Sequence, residues 1–365
     1  MKASLFSPVN YIGPGGGAWP VPHTHYSNEI AQASMQTAMD QFGLADELGF
    51  DWVTLAEHHF APFSLTPNPM VMAGALTQTI KRAKIALLGA DIPILNPVRV
   101  AEEFAMLDTM TGGRIVAGML RGTPNEYVTY NINPNESRAR FEEALQIIKT
   151  CWTEPTPFGW QGRHYEYRAI SIWPRPVQNP HPPIYMSGSS PEAGDFAARH
   201  RISLGFAVTT TDHASVAAKY YRAKANEYGW TPEPDDVLYR LSFHVAESDD
   251  QALADLEERP QPSRQDISRS NTALESAVAQ SSYFGRAAAE QQARRSVRGG
   301  TMADRVARGQ ILIGSPDTVF GQIQALQQRL GCGILDLVPA AQLGDATEKS
   351  IELFGRRVLP RMHQL

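Results

Sequence analysis

Glu57, His58 and His59 stand in a row ahead of Phe60, directly behind the apolar run Phe50-Asp51-Trp52-Val53-Thr54-Leu55-Ala56. Titratable side chains crowded at the point where a buried strand hands over to a loop suit proton transfer better than packing. With an ordinary pKa of about 6.5, an imidazole can accept a proton from a reacting oxygen, or hydrogen-bond it, at neutral pH. If strand geometry persists through the motif, adjacent residues point to opposite sides, so one imidazole faces a pocket and the other does not. The same alternation argues against a metal pair, because ligands that share a face of a strand are spaced as His-x-His.

The elements that must hold this motif follow from the periodicity. Short β-rich runs alternate with longer amphipathic stretches, the pattern of repeated βα units and a parallel sheet. Strands are expected near Ala3–Ser7, Trp52–Ala56, Ala83–Ile92, Arg114–Gly118, Pro183–Ser187, Ile202–Val208, Leu238–Ala246 and Ile334–Pro339. Eight such strands predict an α/β fold, a closed (β/α)8 TIM-like barrel. In such a barrel the loops after the strands build the active-site face, where residues 57 to 60 would lie. Helices are expected over Asn28–Leu48, closed by Gly49, and Ser137–Trp152, closed by Glu154-Pro155. Phe141, Leu145, Ile148, Cys151 and Trp152 fall at helical spacing and are expected to pack on the barrel wall.

Two segments break the rhythm. Asn10–Tyr26 is rich in Gly and Pro and carries Tyr11, Trp19, His23, His25 and Tyr26, which makes it a candidate pocket roof. Its Gly15-Gly16-Gly17 fits neither a Walker loop nor a dinucleotide fingerprint, since neither a GK[ST] ending nor a GxGxxG helix start is present. The polar stretch 257–309 is too long for an ordinary loop and is expected to be a partly helical insertion after the seventh strand, a candidate lid. One domain over residues 1–365 with two elaborated loops is the simplest account.

With 33 basic and 38 acidic residues the net charge is −5, which implies no nucleic-acid partner. The first residues lack an apolar core with a cleavage site, and no run of about 18 apolar residues occurs, so a cytoplasmic protein without membrane spans is expected. Cys151 and Cys332 are far apart, without a CxxC partner, and read as two buried thiols.

Several pieces in order resemble the bacterial luciferase-like family of flavin-dependent monooxygenases. They are Glu57-His58-His59-Phe60 with Asn68-Pro69, then Asn96-Pro97-Val98-Arg99-Val100-Ala101-Glu102-Glu103, then Leu107-Asp108-Thr109-Met110-Thr111-Gly112-Gly113-Arg114. Gly118-Met119-Leu120-Arg121-Gly122, Glu136-Ser137-Arg138, Pro182-Pro183-Ile184-Tyr185 and Gly314-Ser315-Pro316-Asp317-Thr318-Val319 complete the set. The resemblance runs over almost the whole chain. It implies a TIM-like barrel that holds reduced FMN (FMNH2) at the C-terminal ends of the strands, reacts it with O2 to a flavin C4a-peroxide, and oxygenates a small organic substrate. It further implies a homodimer and, as no dinucleotide fingerprint is present, a separate NAD(P)H flavin reductase as the source of reduced FMN.

By the same resemblance His58 is the catalytic histidine, with Glu57 as the partner that fixes a His tautomer or the loop. Arg121, Arg138, Ser189 and Ser190 would hold the phosphate. Gly188 lies in the same Met186–Glu192 passage from strand to helix, whose free N–H groups suit an anion. Each arginine contact to a phosphate dianion is worth about 1.5 to 3 kcal/mol. Leu88-Gly89 matches the place where the family often has a cis peptide not involving proline beneath the isoalloxazine. Asp108 and Arg114 belong to a turn expected to be pinned by their ion pair. Leu120 stands where luciferases proper have a reactive cysteine, so light emission is not implied. Tyr11, Trp19 and Tyr26 suggest an apolar or aromatic substrate. The alternatives are an F420-dependent hydride-transfer enzyme on the same barrel, which would call for more Lys or Arg than the lone Arg121 between Gly118 and Pro134, and a non-catalytic flavin-binding protein.

Overall fold

The computed structural model describes residues 1–14, 19–207, 209–257, 300–340 and 344–365. Eight parallel strands close a barrel: β1 (Lys2–Phe6), β2 (Trp52–Leu55), β3 (Lys84–Asp91), β4 (Ile115–Leu120), β7 (Ile184–Ser187), β8 (Ser203–Phe206), β9 (Val237–Val245) and β11 (Ile334–Pro339). Closure runs through β8 on β9, β9 on β11 and β11 on β1, with Leu204 opposite Val237 and Lys2 opposite Ile334. These are the eight strands read from the sequence, and Val208 lies outside the described residues. Nearly every strand residue is buried, because the barrel interior covers one face and the helices the other.

The helices follow their local signals. Asn28–Leu48 (α1) is capped by Ser27, whose hydroxyl accepts from Ile30 N–H, and ends at Gly49 with φ 88°, a left-handed conformation that costs glycine nothing. Pro69–Thr79 (α2) and Pro97–Thr111 (α3) start with proline behind an asparagine cap. Pro124–Thr129 (α4) is a short turn of helix, and Ser137–Thr153 (α5) buries Phe141, Leu145, Ile148, Cys151 and Trp152 as its spacing demands. Pro191–His200 (α6), Thr211–Glu227 (α7) and Asp249–Glu257 (α8) follow, with Met302–Ala307, Pro316–Leu330 and Asp345–Leu353 completing the long elements. Cys151 and Cys332 are both buried free thiols, each pushed up to about 12 chiefly by burial. No helix among the described residues is long and apolar enough to cross a membrane.

The structure corrects the sequence reading in three places. An antiparallel hairpin, β5 (Phe158–Gln161) with β6 (Glu166–Ile170), precedes β7 outside the barrel. It is fastened to α5 through Glu143, which accepts from Trp160 Nε1 at 3.1 Å and from the N–H of His164 at 2.9 Å. A further strand, β10 (Ile311–Gly314), lies along the C-terminal half of β9. Asp108 and Arg114 do not pair with each other. Asp108 accepts from the N–H groups of Val177 and Gln178 and from Gln178 Nε2, whereas Arg114 donates to the carbonyls of Thr111, Ala83 and Ile80. Each therefore pins backbone of a different segment. The Leu88–Gly89 peptide, left open by the sequence, is trans: the cis peptides among the described residues all precede proline. Of the expected insertion, residues 258–299 lie outside the described residues, so the lid expectation falls there.

Candidate active site

The C-terminal ends of the strands surround a cavity of about 820 Å³, within the range of about 300 to 1,000 Å³ typical of small-molecule and cofactor sites. Glu57, His58, Leu88, Gly89, Arg121, Arg138, Gly188, Ser189 and Ser190 all border it. Residues far apart in sequence thus meet because each follows a barrel strand or begins the next helix. Tyr11, Trp19 and Tyr26 do not line the described cavity. Tyr11 stacks on Tyr26 at 5.7 Å, and Trp19 stacks on Phe60 while its indole N–H donates to the His59 carbonyl at 2.9 Å. Trp19 thus braces the loop after β2, while the Tyr11 hydroxyl donates to the His25 carbonyl and accepts from Ser27 N–H; Gly15–Ala18 lie outside the described residues.

The loop after β2 separates its two imidazoles. The His58 side chain keeps 30% of its surface exposed, against 4% for His59. His58 Nδ1 lies 3.3 Å from Glu126 Oε1, and His59 Nε2 lies 3.1 Å from Glu57 Oε1. With Nδ1 as donor to Glu126, the tautomer leaves Nε2 of His58 as the basic nitrogen, and that atom has no partner among the described residues. Glu126 is fully buried and also accepts from the Thr123 N–H at 2.8 Å and from the Thr123 hydroxyl. Burial would raise its carboxyl, but the hydrogen bonds from His58 and Thr123 outweigh it and hold Glu126 below the ordinary carboxylate value. Glu57 is tied down on both oxygens, the second accepting from the Asp91 N–H at 3.2 Å.

Gly89 interrupts the register of β3 against β4, with a shift between Leu88 and Ala90. A Cβ on Gly89 would meet Ala56 Cα and Glu57 N at 2.5 Å, and one on Gly118 would meet Leu87 O at 2.3 Å. Only residues without a side chain let β2, β3 and β4 approach this closely, which draws Glu57 and His58 against the Leu88-Gly89 wall.

On the same cavity Arg121 ends the β4 passage and Arg138 sits in the first turn of α5. Burial, aided by the nearby Arg138 charge, brings the Arg121 guanidinium down to about 10. An anion beside both arginines would relieve both effects. Tyr127, buried beneath them, donates its hydroxyl to the Arg121 carbonyl and fixes that backbone. Ser190 caps α6 by accepting from Ala193 N–H, and a Cβ on Gly188 would meet Ala193 Cβ at 2.5 Å. Two guanidiniums facing a capped helix N-terminus are the donor set a phosphate dianion requires. The residues present therefore fit a flavin mononucleotide, with a phosphate end and a flat wall at Leu88-Gly89.

The profile of the family described as luciferase-like monooxygenase matches residues 18–332. The chain belongs to that family. Among curated relatives of this luciferase-like protein, the 4-hydroxyprotoasukamycin monooxygenase of Streptomyces nodosus subsp. asukaensis is 26% identical, over 87% of this chain and 84% of its own length. The alkanal monooxygenase alpha chain of Photorhabdus luminescens is 28% identical over 56% of this chain, and the match spans 58% of that relative's length. The chain thus covers under two thirds of the curated relatives it matches first. The oxygenating constituent of 3,6-diketocamphane monooxygenase from Pseudomonas putida, solved with FMN, shares the fold at a TM-score of 0.77 with 20% identity over 99% of this chain and 98% of its own. An F420-dependent secondary alcohol dehydrogenase also shares the fold, at a TM-score of 0.68 and 15% identity over 99% of each chain.

Three buried acids at the site escaped the sequence reading or were read only in part. Glu126 was hidden because Thr123-Pro124-Asn125-Glu126 reads as a helix cap, which it also is. Asp91 ends β3 and looked like an ordinary strand terminus. Asp336, on β11, holds Arg240 Nε at 2.6 Å inside the barrel, where the Arg240 guanidinium lies 3.7 Å over the Phe6 ring and borders the cavity floor. A charged residue inside an otherwise apolar strand was the only available signal for the last pair.

Proposed function

We propose that this chain is the oxygenase component of a two-component flavin monooxygenase: it takes reduced FMN from a separate NAD(P)H flavin reductase and oxygenates a small, apolar or aromatic organic substrate with O2. The observation that carries the reading is a single cavity lined both by two arginines and by His58. Arg121, Arg138, Ser189 and Ser190 bind the phosphate, and Gly188 allows the backbone to come close to it. Leu88 and Gly89 give the flat wall for the ring. When bound, reduced flavin supplies the two electrons for activating O2. His58 holds or moves a proton at Nε2, with its tautomer fixed by Glu126, while Glu57 keeps His59 and the loop in place. Burial of the wall keeps water from the reacting face. The working unit in this reading is one barrel domain in a cytoplasmic homodimer.

The test is an anaerobic titration with photoreduced FMN, followed by mixing with O2 in a stopped-flow cell, with F420 run in parallel. Saturable binding of reduced FMN and rapid oxygen consumption are expected. Arg121→Ala should weaken FMN by roughly 10- to 100-fold, the worth of one charge-assisted phosphate contact. Tight F420 binding without oxygen consumption would overturn the reading in favour of hydride transfer. Unchanged oxygen chemistry in His58→Ala would point instead to a protein that only binds flavin.

A further inference from the structure

We propose that Asp91 works as a neutral carboxylic acid that donates a hydrogen bond to an acceptor on the flavin ring, and so is a binding residue of this pocket. The inference rests on the flavin reading above. Asp91 is the last residue of β3, two beyond Gly89, and pairs across the sheet with Leu120, next to Arg121. It is only 3% exposed, yet it borders the cavity. Its carboxyl makes no hydrogen bond to any described residue; its N–H donates to Glu57 and its backbone carbonyl accepts from Ile94 N–H at 3.1 Å. A buried polar side chain left without a partner and facing a cavity is a group awaiting a ligand.

The surroundings decide its protonation. Glu57 reaches it from the loop after β2 and Glu126 acts on it from α4, while the phenols of Tyr127 and Tyr130, at and beyond that helix, lie close enough to feel its charge. Neither imidazole hydrogen-bonds its carboxyl: His58 turns Nδ1 to Glu126 and His59 turns Nε2 to Glu57. Gly122 presents no side chain, and a Cβ there would stand 3.3 Å from Asp91 Cγ. A third carboxylate in this space would be desolvated and would face two others, so the proton stays on. Burial, with Glu57 and Glu126 beside it, indeed holds the Asp91 carboxyl well above the usual carboxylate range.

A protonated carboxyl offers one O–H donor and keeps acceptor capacity on its other oxygen, the pattern of an amide side chain. The edge of a flavin ring carries carbonyl and nitrogen acceptors beside an N–H donor, which that pattern complements. Reduced flavin is also an anion near neutral pH, and a carboxylate against it would repel. A neutral acid at the same position attracts instead.

The proposal makes Asp91→Asn a mimic of the working state and Asp91→Ala its loss. The dissociation constants of oxidised and reduced FMN would be measured by fluorescence quenching over a pH series for the three proteins. Wild-type affinity should fall as pH rises through the raised value of Asp91. Asp91→Asn should bind within about threefold of the wild type at the acidic end and show no such fall, whereas Asp91→Ala should bind about 3- to 10-fold more weakly there, the loss of one hydrogen bond. The infrared C=O band of a protonated carboxylic acid should be present in the wild type and diminished in Asp91→Asn. Should Asp91→Ala fail to fold, the asparagine variant and the infrared band still decide. Persistence of the wild-type pH fall in Asp91→Asn, or an unchanged infrared band, would overturn the role of Asp91 while leaving FMN binding intact. Failure of the wild type to bind FMN at any pH would remove the functional reading and this one with it.

Discussion

A histidine is useful at a reacting centre when one nitrogen is committed and the other is not, and His58 meets that condition through Glu126. Removing the imidazole should leave the phosphate end of the cavity untouched. His58→Ala is therefore expected to bind FMN as the wild type does and to lose on the order of 100-fold or more in oxygenation, the usual span of general acid–base assistance. Stopped-flow and steady-state oxygen measurements on the same preparation separate the two effects. Glu126 carries its own pH signature. Its carboxyl lies below the ordinary value in the folded chain, so the stability it contributes is full above its unfolded pKa and is lost as pH falls through the lower folded one. Melting temperature against pH should show that acid limb in the wild type and a flatter one in Glu126→Gln. An unaltered acid limb in Glu126→Gln would show that the carboxylate is not what holds this loop at low pH.

At the level of elements, the site depends on how closely three strands approach. Gly89 and Gly118 allow β2, β3 and β4 to come together without side chains between them, and Asp91, just past the register shift at Gly89, borders the cavity. Gly89→Ala forces a Cβ against backbone atoms, which cannot yield as a flexible side chain would. Overpacking of this kind costs about 1 to 3 kcal/mol, and urea unfolding should report it as a lower midpoint at unchanged slope. FMN binding should weaken in parallel, because the displaced strand carries the wall and the loop carries His58. A variant as stable as the wild type would mean that β2 can shift at little cost. The capped start of α6 and the first turn of α5 belong to other elements, so Ser190 and Arg138 are expected to keep their places.

For the whole molecule, the outer surface matters as well as the mouth of the barrel. Met106 and Met110, one turn apart on α3, are half exposed, and Val177 is exposed where its segment lies over Gly113 at the end of that helix. Adjacent exposed apolar side chains of this kind mark association surfaces, and the homodimer proposed here is expected to use this face. Sedimentation should find a dimer in the wild type and a shift toward monomer in Met106→Glu. A monomeric wild type would remove the dimer from the proposal.

The sequence determined the eight barrel strands and the two helices Asn28–Leu48 and Ser137–Trp152, because periodicity and glycine and proline punctuation are local properties of the chain, and strand-end polarity with the family resemblance picked out Glu57, His58, Arg121, Arg138 and Gly188–Ser190 at the cavity. Tertiary structure alone decided the pairings. Which acid holds each imidazole, that Asp108 anchors Val177 and Gln178 instead of Arg114, and that Tyr11, Trp19 and Tyr26 stand outside the cavity lining all depend on groups brought together from distant positions. The same holds for Asp91, which is an ordinary strand end in one dimension and a buried acid beside two others once the barrel closes. Electrostatic environment is set by neighbours in space, and no spacing along the chain encodes it.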